Sequence, residues 1–418
     1  MATFDINWVR SQFPALAMNV NGYRAAFFDG PGGTQVPQRV INAIGEYLAT
    51  SNANTHGAFA TSRRSDEVIA AAHAAMADML GCDPEEIVFG PNMTSLTFAL
   101  SRALGRELGP GDEIVVTRLD HDANFSPWTA LEERGCVIRF VDIHPADCTL
   151  DMEELRRSVT PRTRIVAVGY ASNSVGTIND VEEVVRLAHA VGAVAYVDAV
   201  HYAPHGAIDV RSLDCDFLVC SPYKFFGPHS GALYGKREHL LRLRPYKVRP
   251  ATESIPGRWE TGTQNHEGLA GITAAVEYLA ELGRRHTPVA HGRRGMLLAA
   301  YDALRAYERA LLERLVPTLL AIPGLTFYGI ADPARFAQRV PTVAVRIAGR
   351  TPRELAAYLG ERGIFTWDGN YYALNLSECL GVEPDGGMLR IGLVHYNTAE
   401  EVDRLLEALC ELAPQGKS

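Results

Sequence analysis

Several features that define whole classes of protein are scarce in this chain of 418 residues. Its seven cysteines are scattered without a paired framework, as in proteins of a reducing compartment. It has no basic run, and its net charge of −9 argues against a nucleic acid as main partner. No apolar stretch approaches the length of a membrane span, and the first eight residues lack a basic region followed by an apolar core. We therefore expect a cytoplasmic protein that binds neither nucleic acid nor membrane.

What the chain does contain is ample material for a folded core. Hydrophobic residues make up 47% and charged residues 21%, as in ordinary globular proteins. The length exceeds what one hydrophobic core usually organises, so two domains are expected. We assign a large domain to residues 20–265. A smaller domain, with a long connecting helix, is assigned to residues 266–418 together with 1–19.

Strand-like and helix-like segments alternate through the first part of the chain. The expected strands are Glu86–Gly90, Glu113–Thr117, Val137–Val141, Arg164–Val168, Ala193–Val197, Phe217–Cys220 and Gly231–Tyr234. The helical patterns between them are Ser95–Leu108, Pro127–Arg134, Met152–Val159 and Glu182–Ala190. This alternation predicts an α/β fold with a mainly parallel sheet between helices. From about Gly268 to Leu320 long helices follow, then a strand at Thr342–Ile347 and a helix at Ala399–Leu412, which predicts a smaller α+β domain.

Lys224 lies where the apolar segment Asp216–Cys220 runs into a turn rich in glycine and proline. That position is the carboxyl edge of the expected sheet, where α/β proteins bind ligands. A buried lysine tends to lose its proton, and a neutral amine can form a Schiff base with an aldehyde. Asp198 ends another apolar strand, and such a pair suits pyridoxal 5′-phosphate (PLP), because a carboxylate keeps the ring nitrogen protonated. The alternative is a lysine that reaches solvent at a strand end, beside a surface aspartate.

Other polar residues near the expected strand ends fit the parts of a PLP molecule. Thr94 opens a helix, where backbone N–H groups and a hydroxyl bind phosphate, although Thr94 or Ser95 is equally read as an N-cap. His121 follows the next strand and is placed to stack on the pyridine ring, unless it is a hydrogen-bonded surface or core histidine. Asn173 and His201 are candidates to bond the phenolic oxygen.

Two hydroxyl groups flank the lysine in sequence. Ser221 and Tyr223 lie three residues and one residue before Lys224. Both are candidates to contact the cofactor phosphate.

With these residues, the chain resembles the class V aminotransferase and cysteine desulfurase family of fold-type-I PLP enzymes, most of all its SufS-like branch. The resemblance runs from Phe28-Asp29-Gly30 to the segment that begins at Tyr396. It implies that Lys224 is the Schiff-base lysine and Asp198 the partner of the ring nitrogen. It implies the stacking role for His121.

The resemblance also assigns the remaining positions. Asn173 and His201 match the positions beside the phenolic oxygen, and Thr94, Ser221 and Tyr223 match phosphate contacts. Met93 replaces a hydroxyl residue of the family, and Tyr223 replaces a histidine. Thr263 matches a residue that reaches the phosphate of the other subunit, which implies a homodimer. Arg390 matches the arginine that binds the substrate α-carboxylate, a task suited to a guanidinium.

One loop departs from the SufS-like pattern. Such desulfurases carry a mobile loop, Arg-x-Gly-His-His-Cys-Ala, whose thiolate attacks the substrate sulfur. The matching stretch is Ile364–Ala373, in which Trp367 replaces the arginine and Tyr372 the cysteine. A phenol cannot accept sulfane sulfur. Cys379 substitutes only if the loop folds differently, and the alternative is a packed thiol. The pair of tyrosines indicates a less polar substrate pocket, or aromatic packing between domains.

The expected function is therefore that of a homodimeric, cytoplasmic PLP enzyme acting on an amino acid. Lys224 is the expected general base, and β-elimination of a thiol is the favoured outcome, because lyase relatives work without the loop cysteine. Transamination, desulfuration through Cys379 and racemisation stay open. So does a PLP-binding protein that has lost turnover and serves as a partner in sulfur trafficking.

Overall fold

The computed structural model describes residues 4–414, and its centre is a seven-stranded sheet. In chain order the strands are β1 (Ile87–Gly90), β2 (Glu113–Thr117), β3 (Val137–Val141), β4 (Thr163–Gly169), β5 (Val194–Asp198), β6 (Phe217–Cys220) and β7 (Gly231–Gly235). Their spatial order is β1-β7-β6-β5-β4-β2-β3. The five strands β6, β5, β4, β2 and β3, which are neighbours in that spatial order, pair in parallel. Strand β7 is antiparallel to both β6 and β1. The sheet is mixed but mostly parallel, which confirms the predicted fold class.

The side chains of the large sheet alternate between two hydrophobic cores. In β5, Ala195 and Val197 belong to one core and Tyr196 to the other. In β6, Leu218 and Cys220 again lie on the first side. Successive side chains of a strand point to opposite faces of the sheet, and here a hydrophobic core covers each face. The strand sequences are therefore continuous apolar runs rather than alternating ones.

Helices supply the other half of both cores. The first core includes buried residues of Ala60–Leu80, Val181–Ala190 and His266–His286, and the second includes those of Met93–Leu104. The α-helices are Ile6–Ser11, Gln38–Thr50, Ala60–Leu80, Met93–Leu104, Ser126–Thr129, Met152–Ser158, Val181–Ala190, Val210–Leu213, Arg237–Arg242, His266–His286, Gly292–Ala321, Pro352–Glu361, Leu374–Cys379 and Ala399–Glu411.

A second, antiparallel sheet lies in the C-terminal part. Its strands are β8 (Leu325–Tyr328), β9 (Thr342–Ile347), β10 (Trp367–Gly369) and β11 (Met388–Gly392), in the order β8-β9-β11-β10. A separate core joins it to the end of the helix Gly292–Ala321 and to the last helix. The smaller α+β unit predicted from the sequence is thereby confirmed.

Three two-stranded pairings complete the secondary structure. They are Asn19–Val20 with Tyr23–Arg24, Ile143–His144 with Thr149–Leu150, and Ala26–Phe27 with Ile364–Phe365. The last pair is parallel and joins the N-terminal segment to the C-terminal part of the chain. The division into residues 20–265 and 266–418 with 1–19 stays a prediction, and its residues 1–3 and 415–418 lie outside the described range.

Two expected helices differ from the structure. The pattern at Ser95–Leu108 is an α-helix from Met93 to Leu104 followed by a 3-10 turn. It starts early because Asn92, rather than Thr94 or Ser95, is its N-cap: the Asn92 side chain accepts from the Ser95 N–H at 2.8 Å. The pattern at Pro127–Arg134 has one α-helical turn, Ser126–Thr129, and then a 3-10 segment, Ala130–Arg134, with Gly135 as its C-cap.

Between residues 4 and 414 the helices are all too short or too polar to cross a bilayer.

Candidate active site

One cavity of about 900 Å³ gathers most of the residues predicted from the sequence. It lies at the carboxyl ends of the parallel strands, with the loop after β10 as its outer wall. Nine of the eleven predicted residues line it: Met93, Thr94, His121, Asn173, Asp198, His201, Tyr223, Lys224 and Arg390. Ser221 and Thr263 do not. Residues far apart in sequence thus converge on the edge where the strand order predicts a ligand site.

Lys224 lies in a short 3-10 turn that begins two residues after β6 ends. Its ammonium donates to the Pro31 carbonyl and lies 4.8 Å from the centre of the Tyr223 ring. Burial, followed by the nearby Arg390 guanidinium, lowers the pKa of Lys224 to about 7. Its amine is therefore partly neutral at physiological pH and faces the cavity rather than open solvent.

Asp198 ends β5 and is buried in the cavity wall. Its Oδ1 accepts from the Val200 N–H at 2.9 Å, the one hydrogen bond that the described residues give to its side chain. Burial raises its pKa to about 6, and the charge of Lys224 opposes that rise. Asp198 is thus ionised at neutral pH, and its carboxylate is able to accept a further hydrogen bond.

A second buried carboxyl group, that of Asp120, was not singled out from the sequence. It accepts from the Gly169 N–H and from the Asn124 amide, both at 2.8 Å. Burial and the Asp198 charge raise its pKa to about 8, so it is largely protonated at neutral pH. Asp120 therefore fixes the end of β4, and Asp198 is the carboxylate that stays charged. The sequence signal was its position directly before His121 at a strand end.

His121 and His201 both line the cavity as neutral imidazoles. The Nδ1 of His121 accepts from the Ala123 N–H at 3.0 Å, which leaves the proton on Nε2. Burial lowers the pKa of His121 to about 4, with the charges of Lys224 and Arg390 adding to the effect. The pKa of His201 is also lowered by burial, and its Nε2 lies 3.0 Å from the Thr342 hydroxyl.

Of the candidate phosphate contacts, Thr94 lies in the first turn of the helix Met93–Leu104, whereas Ser221 and Tyr223 lie in the turn after β6. The first N–H groups of that helix have no partner inside it, as at every helix start, and Asn92 takes that of Ser95. The Ser221 hydroxyl is buried without a hydrogen-bond partner in the described part of the chain. Tyr223 stacks on His229, with ring centres 4.9 Å apart.

Arg390 is a buried cation that has no carboxylate within ion-pair distance among the described residues. Its Nη1 donates to the Asn173 carbonyl at 2.9 Å, and its Nε is buried without a partner. Burial lowers its pKa to about 10, so the guanidinium keeps its charge at neutral pH. A buried cation that faces a cavity and has no direct ion-pair partner is suited to an anionic ligand group.

Asp29 also stands close to this cation, although the sequence suggested no role for it. Its Oδ1 is buried without a partner. Burial raises its pKa to about 6, while the charges of Arg390 and Lys224 lower it. Asp29 therefore supplies part of the negative charge that balances the two cations.

The loop that departs from the desulfurase pattern forms the outer wall of the cavity. Trp367 packs so closely on Gly32 that a Cβ there would lie 2.2 Å from the indole nitrogen. The Tyr372 ring stacks on His121, with centres 5.4 Å apart and planes at 16°. Its carbonyl accepts from the Asp122 N–H at 2.7 Å. The position matched to the nucleophilic cysteine thus reaches the site, but with a phenol.

Cys379 lies elsewhere. It ends the helix Leu374–Cys379, is exposed, and places its sulfur 3.8 Å from an Asp142 carboxylate oxygen. Burial of the sulfur and the Asp142 charge raise its pKa, which disfavours a thiolate. All seven cysteines fall within residues 4–414, and none of them lines the cavity.

Thr263 is exposed and lies outside the cavity of its own chain. It belongs to the segment just before the helix His266–His286. A contact between Thr263 and a bound phosphate would need a second copy of the chain.

Comparisons with known proteins identify the family that the chain matches. The family model described as aminotransferase class-V matches residues 26–405. A cysteine desulfurase of Pectobacterium carotovorum is 32% identical, with 97% of this chain and 98% of that protein covered. An aminotransferase-like protein of Gibberella zeae is 34% identical, with 98% of both covered. A probable cysteine desulfurase of Mycolicibacterium paratuberculosis is 32% identical over 99% of this chain, which spans 59% of that longer protein.

Two solved structures resemble the fold over the whole chain. One is the apo structure of a cysteine desulfurase from Thermococcus onnurineus, with a TM-score of 0.87, 26% identity and 99% of each chain covered. The other is the cysteine desulfurase CsdA of Escherichia coli, with a TM-score of 0.84, 28% identity, and 99% of this chain and all of that chain covered.

Proposed function

The chain belongs to the class V aminotransferase family, whose members are PLP-dependent enzymes, and on that premise we propose that it catalyses β-elimination from an amino acid. It would act as a carbon–sulfur lyase that needs no persulfide cysteine. The observation that carries this proposal is the loop at the cavity mouth. Tyr372 lies there against His121, and the exposed Cys379 is outside the cavity.

The residues around the cavity fit PLP. The Ser221 hydroxyl and the Asn173 Oδ1 are buried without partners, and both are groups that the cofactor's phosphate and phenolic oxygen would engage. The start of the helix at Met93 and Thr94 offers N–H groups to a phosphate. We assign Thr94, Met93, Ser221 and Tyr223 to the phosphate.

The opposite end of the cofactor would lie near Asp198. Its carboxylate would hold a proton on the ring nitrogen, His121 would cover one face of the ring, and His201 with Asn173 would adjoin the phenolic oxygen. Bound in this way, PLP supplies an electron sink that stabilises negative charge at the substrate Cα.

Lys224 is the proposed general base. With its pKa lowered to about 7, its neutral amine is able to take the proton from the substrate Cα. Arg390 would hold the α-carboxylate, because its Nε is buried without a partner. Together these residues fix the amino acid so that the Cα–H bond faces the Lys224 amine.

The chemistry that follows depends on what attacks the substrate sulfur. In desulfuration a thiolate takes the sulfur as a persulfide, and alanine remains. In β-elimination the Cα proton and the thiol leave instead, and the remaining enamine hydrolyses to pyruvate and ammonia. A cavity wall that carries Tyr372 offers no thiolate, which favours elimination.

Transamination is the second candidate, supported by the likeness to the aminotransferase-like Gibberella zeae protein. For that reaction PLP, when bound, would supply the acceptor of the amino group. Lys224 would take the Cα proton as before, and no leaving group would depart from the substrate. The printed names of several other relatives, cysteine desulfurase, keep desulfuration as the outcome that would contradict the proposal.

Product analysis distinguishes these outcomes. The PLP-loaded protein is incubated with L-cysteine and with S-substituted cysteines, and pyruvate, sulfide, alanine and oxo acids are measured together. We expect pyruvate in an amount equal to the sulfide released from L-cysteine, and equal to the thiol, measured alongside, released from an S-substituted cysteine. An oxo acid formed only up to the enzyme concentration, in the absence of an amino acceptor, would move the proposal to transamination.

Two cysteine variants make a matched control, because Cys379 and Cys410 are both exposed in the described structure. Neither Cys379→Ser nor Cys410→Ser is expected to change the ratio of pyruvate to alanine. Alanine as the main product, with a persulfide mapped by mass spectrometry to Cys379, would establish desulfuration and refute the elimination proposal.

Further proposals concern the branch and the assembly. The loop Ile364–Ala373 occupies the position of the SufS-like loop in the sequence but has Tyr372 where that loop has its cysteine. We therefore propose that the protein is a member of the SufS-like branch that lacks the loop thiol. The exposed Thr263 supports a homodimer in which it reaches the phosphate of the partner site. A cytoplasmic location agrees with the scattered free cysteines.

A further inference from the structure

We propose that Tyr371 is a positioning residue that fixes the guanidinium of Arg390 in the orientation needed for an amino-acid carboxylate. This inference rests on the carboxylate-binding role proposed above for Arg390. It concerns a residue that the sequence offered only as one of two adjacent loop aromatics.

Tyr371 contacts the arginine in two ways. The Arg390 guanidinium carbon lies 4.2 Å from the centre of the Tyr371 ring, so the ring covers one face of the cation. The Tyr371 hydroxyl donates to the carbonyl of Met388, which lies two residues before Arg390 on β11. The phenol thus holds the strand that carries the arginine as well as the arginine itself.

Asn173 closes a ring of contacts around the guanidinium. Arg390 Nη1 donates to the Asn173 carbonyl, and the Asn173 side-chain amide donates to the Tyr371 carbonyl, both at 2.9 Å. The path from Arg390 through Asn173 and Tyr371 to Met388 therefore returns to the strand where it began. It also links the carboxylate site to the residue assigned to the cofactor's phenolic oxygen.

These contacts leave one part of the guanidinium available. The ring of Tyr371 occupies a face, and Nη1 is committed to Asn173. The Nε is buried without a partner, and no hydrogen bond among the described residues uses Nη2. The edge formed by Nε and Nη2 is the edge that binds a carboxylate with two parallel hydrogen bonds. Tyr371, which covers the face, and Asn173, which occupies Nη1, therefore together determine that this edge of Arg390 meets the substrate.

The backbone of the loop shows that this placement is held by side-chain contacts. Tyr371 and Tyr372 have φ angles of +56° and +60°, in the left-handed region that residues other than glycine rarely adopt. Such a conformation persists where surrounding contacts determine it. Asn370 anchors the same turn through its amide to Glu383 at 2.9 Å. The two tyrosines differ in role, because Tyr372 is 72% exposed while Tyr371 lies beneath the arginine.

The test compares binding of two small probes to the PLP-loaded protein. L-alanine carries a carboxylate, and L-alaninamide is nearly the same shape without the charge. Dissociation constants are taken from the change in the visible absorbance of the bound cofactor, so turnover is not required. In the unaltered protein L-alanine should bind more tightly, and in Arg390→Leu the preference should vanish.

Tyr371→Leu should weaken L-alanine by about tenfold, in the range of an enclosed cation–π contact, with little change for L-alaninamide. Tyr371→Phe keeps the ring and loses only the bond to Met388, so a smaller loss of about threefold is expected. Tyr246→Leu is the matched control, because Tyr246 stacks at 4.1 Å on Arg106 outside the cavity and should leave both probes unchanged.

The possible failures are distinguishable. If Arg390→Leu keeps the preference for L-alanine, the proposed role of Arg390 is wrong and the role of Tyr371 falls with it. If Arg390→Leu loses the preference while Tyr371→Leu and Tyr371→Phe both keep it, the positioning role alone is refuted. A Tyr371→Leu protein that weakens both probes equally would also refute it, since that pattern indicates general damage to the cavity.

Discussion

Replacing Arg390 by leucine should separate substrate binding from protein stability. In the proposed function, the lost bidentate contact to a substrate carboxylate is worth about 2–5 kcal/mol, or about 30-fold to 5,000-fold in KM. The effect should fall mainly on KM rather than kcat, because the carboxylate is bound alike before and during proton transfer. Initial rates over a range of substrate concentrations measure both constants.

The same substitution should not destabilise the protein in the absence of substrate. Burial lowers the pKa of Arg390 to about 10, and at about 1.4 kcal/mol per pKa unit the charged side chain costs the folded state about 3 kcal/mol. That cost is present at every pH below about 10, because the guanidinium is charged there. The hydrogen bond from Arg390 to Asn173 and its stacking on Tyr371 offset this cost, because together they stabilise the folded state by about 1–3 kcal/mol.

Thermal unfolding of the substrate-free variant checks this balance. The Tm of Arg390→Leu should equal or slightly exceed that of the unaltered protein, measured at pH 7. Arg339→Leu provides a contrast. Burial lowers the pKa of Arg339 to about 9, but that guanidinium donates to the carbonyls of Ile330, Val175 and Thr342. Hydrogen bonds from a charged group are worth about 1.5–3 kcal/mol each, and the substitution leaves these buried acceptors without that donor, so the Tm should fall. An unchanged KM in Arg390→Leu, or a Tm as low as that of Arg339→Leu, would refute the reasoning.

Three further outcomes are expected. Lys224→Ala should lose both turnover and the visible absorbance of bound cofactor. In the unaltered apo-protein the rate of PLP uptake should rise as the pH passes about 7, because the Lys224 amine loses its proton there. A rise only near pH 10 would contradict the lowered pKa. Asp198→Asn should retain cofactor by absorbance but lose most activity, whereas near-normal rates would assign the ring nitrogen to another carboxylate. If the chain forms the proposed homodimer, dilution should remove PLP from the protein in step with dissociation of that dimer, because Thr263 is exposed in its own chain. A monomer with full PLP occupancy by gel filtration would contradict that contact.

The strands of the large sheet were predictable because both their faces are buried. Glu113–Thr117, Val137–Val141 and Phe217–Cys220 have the bounds expected from their apolar runs. Where a polar cap decides the boundary the prediction was less accurate, since the helix expected at Ser95 begins at Met93 under the Asn92 side chain. The antiparallel direction of β7 was not predictable, because a short apolar segment is compatible with either parallel or antiparallel pairing.

The residues of the candidate site were likewise predictable only in part. Asp198 is the last residue of β5 and Lys224 lies four residues after the end of β6, so the sequence alone predicted that both lie at one sheet edge. The link from Asn173 to Tyr371 joins residues 198 positions apart, and local pattern carries no information on such a contact. Left-handed φ angles at Tyr371 and Tyr372 were equally unpredictable, because that conformation is signalled by glycine or asparagine. The outward position of Cys379 follows from the fold of this loop.

The place of β1 in the sheet sets the order in which the cofactor site is assembled. Ile87–Gly90 is made early, yet it pairs only with β7, and the start of the helix at Met93 lies against Gly231, where a Cβ would come within 2.8 Å of the Met93 nitrogen. At ribosomal rates of about 5–20 residues per second, synthesis from Gly90 to Gly231 takes on the order of 10–30 s. Through that interval the turn between Gly90 and Met93 lacks the strand that packs against it in the folded chain. If this turn binds the cofactor phosphate as proposed, the site is completed only after Gly231 has been synthesised.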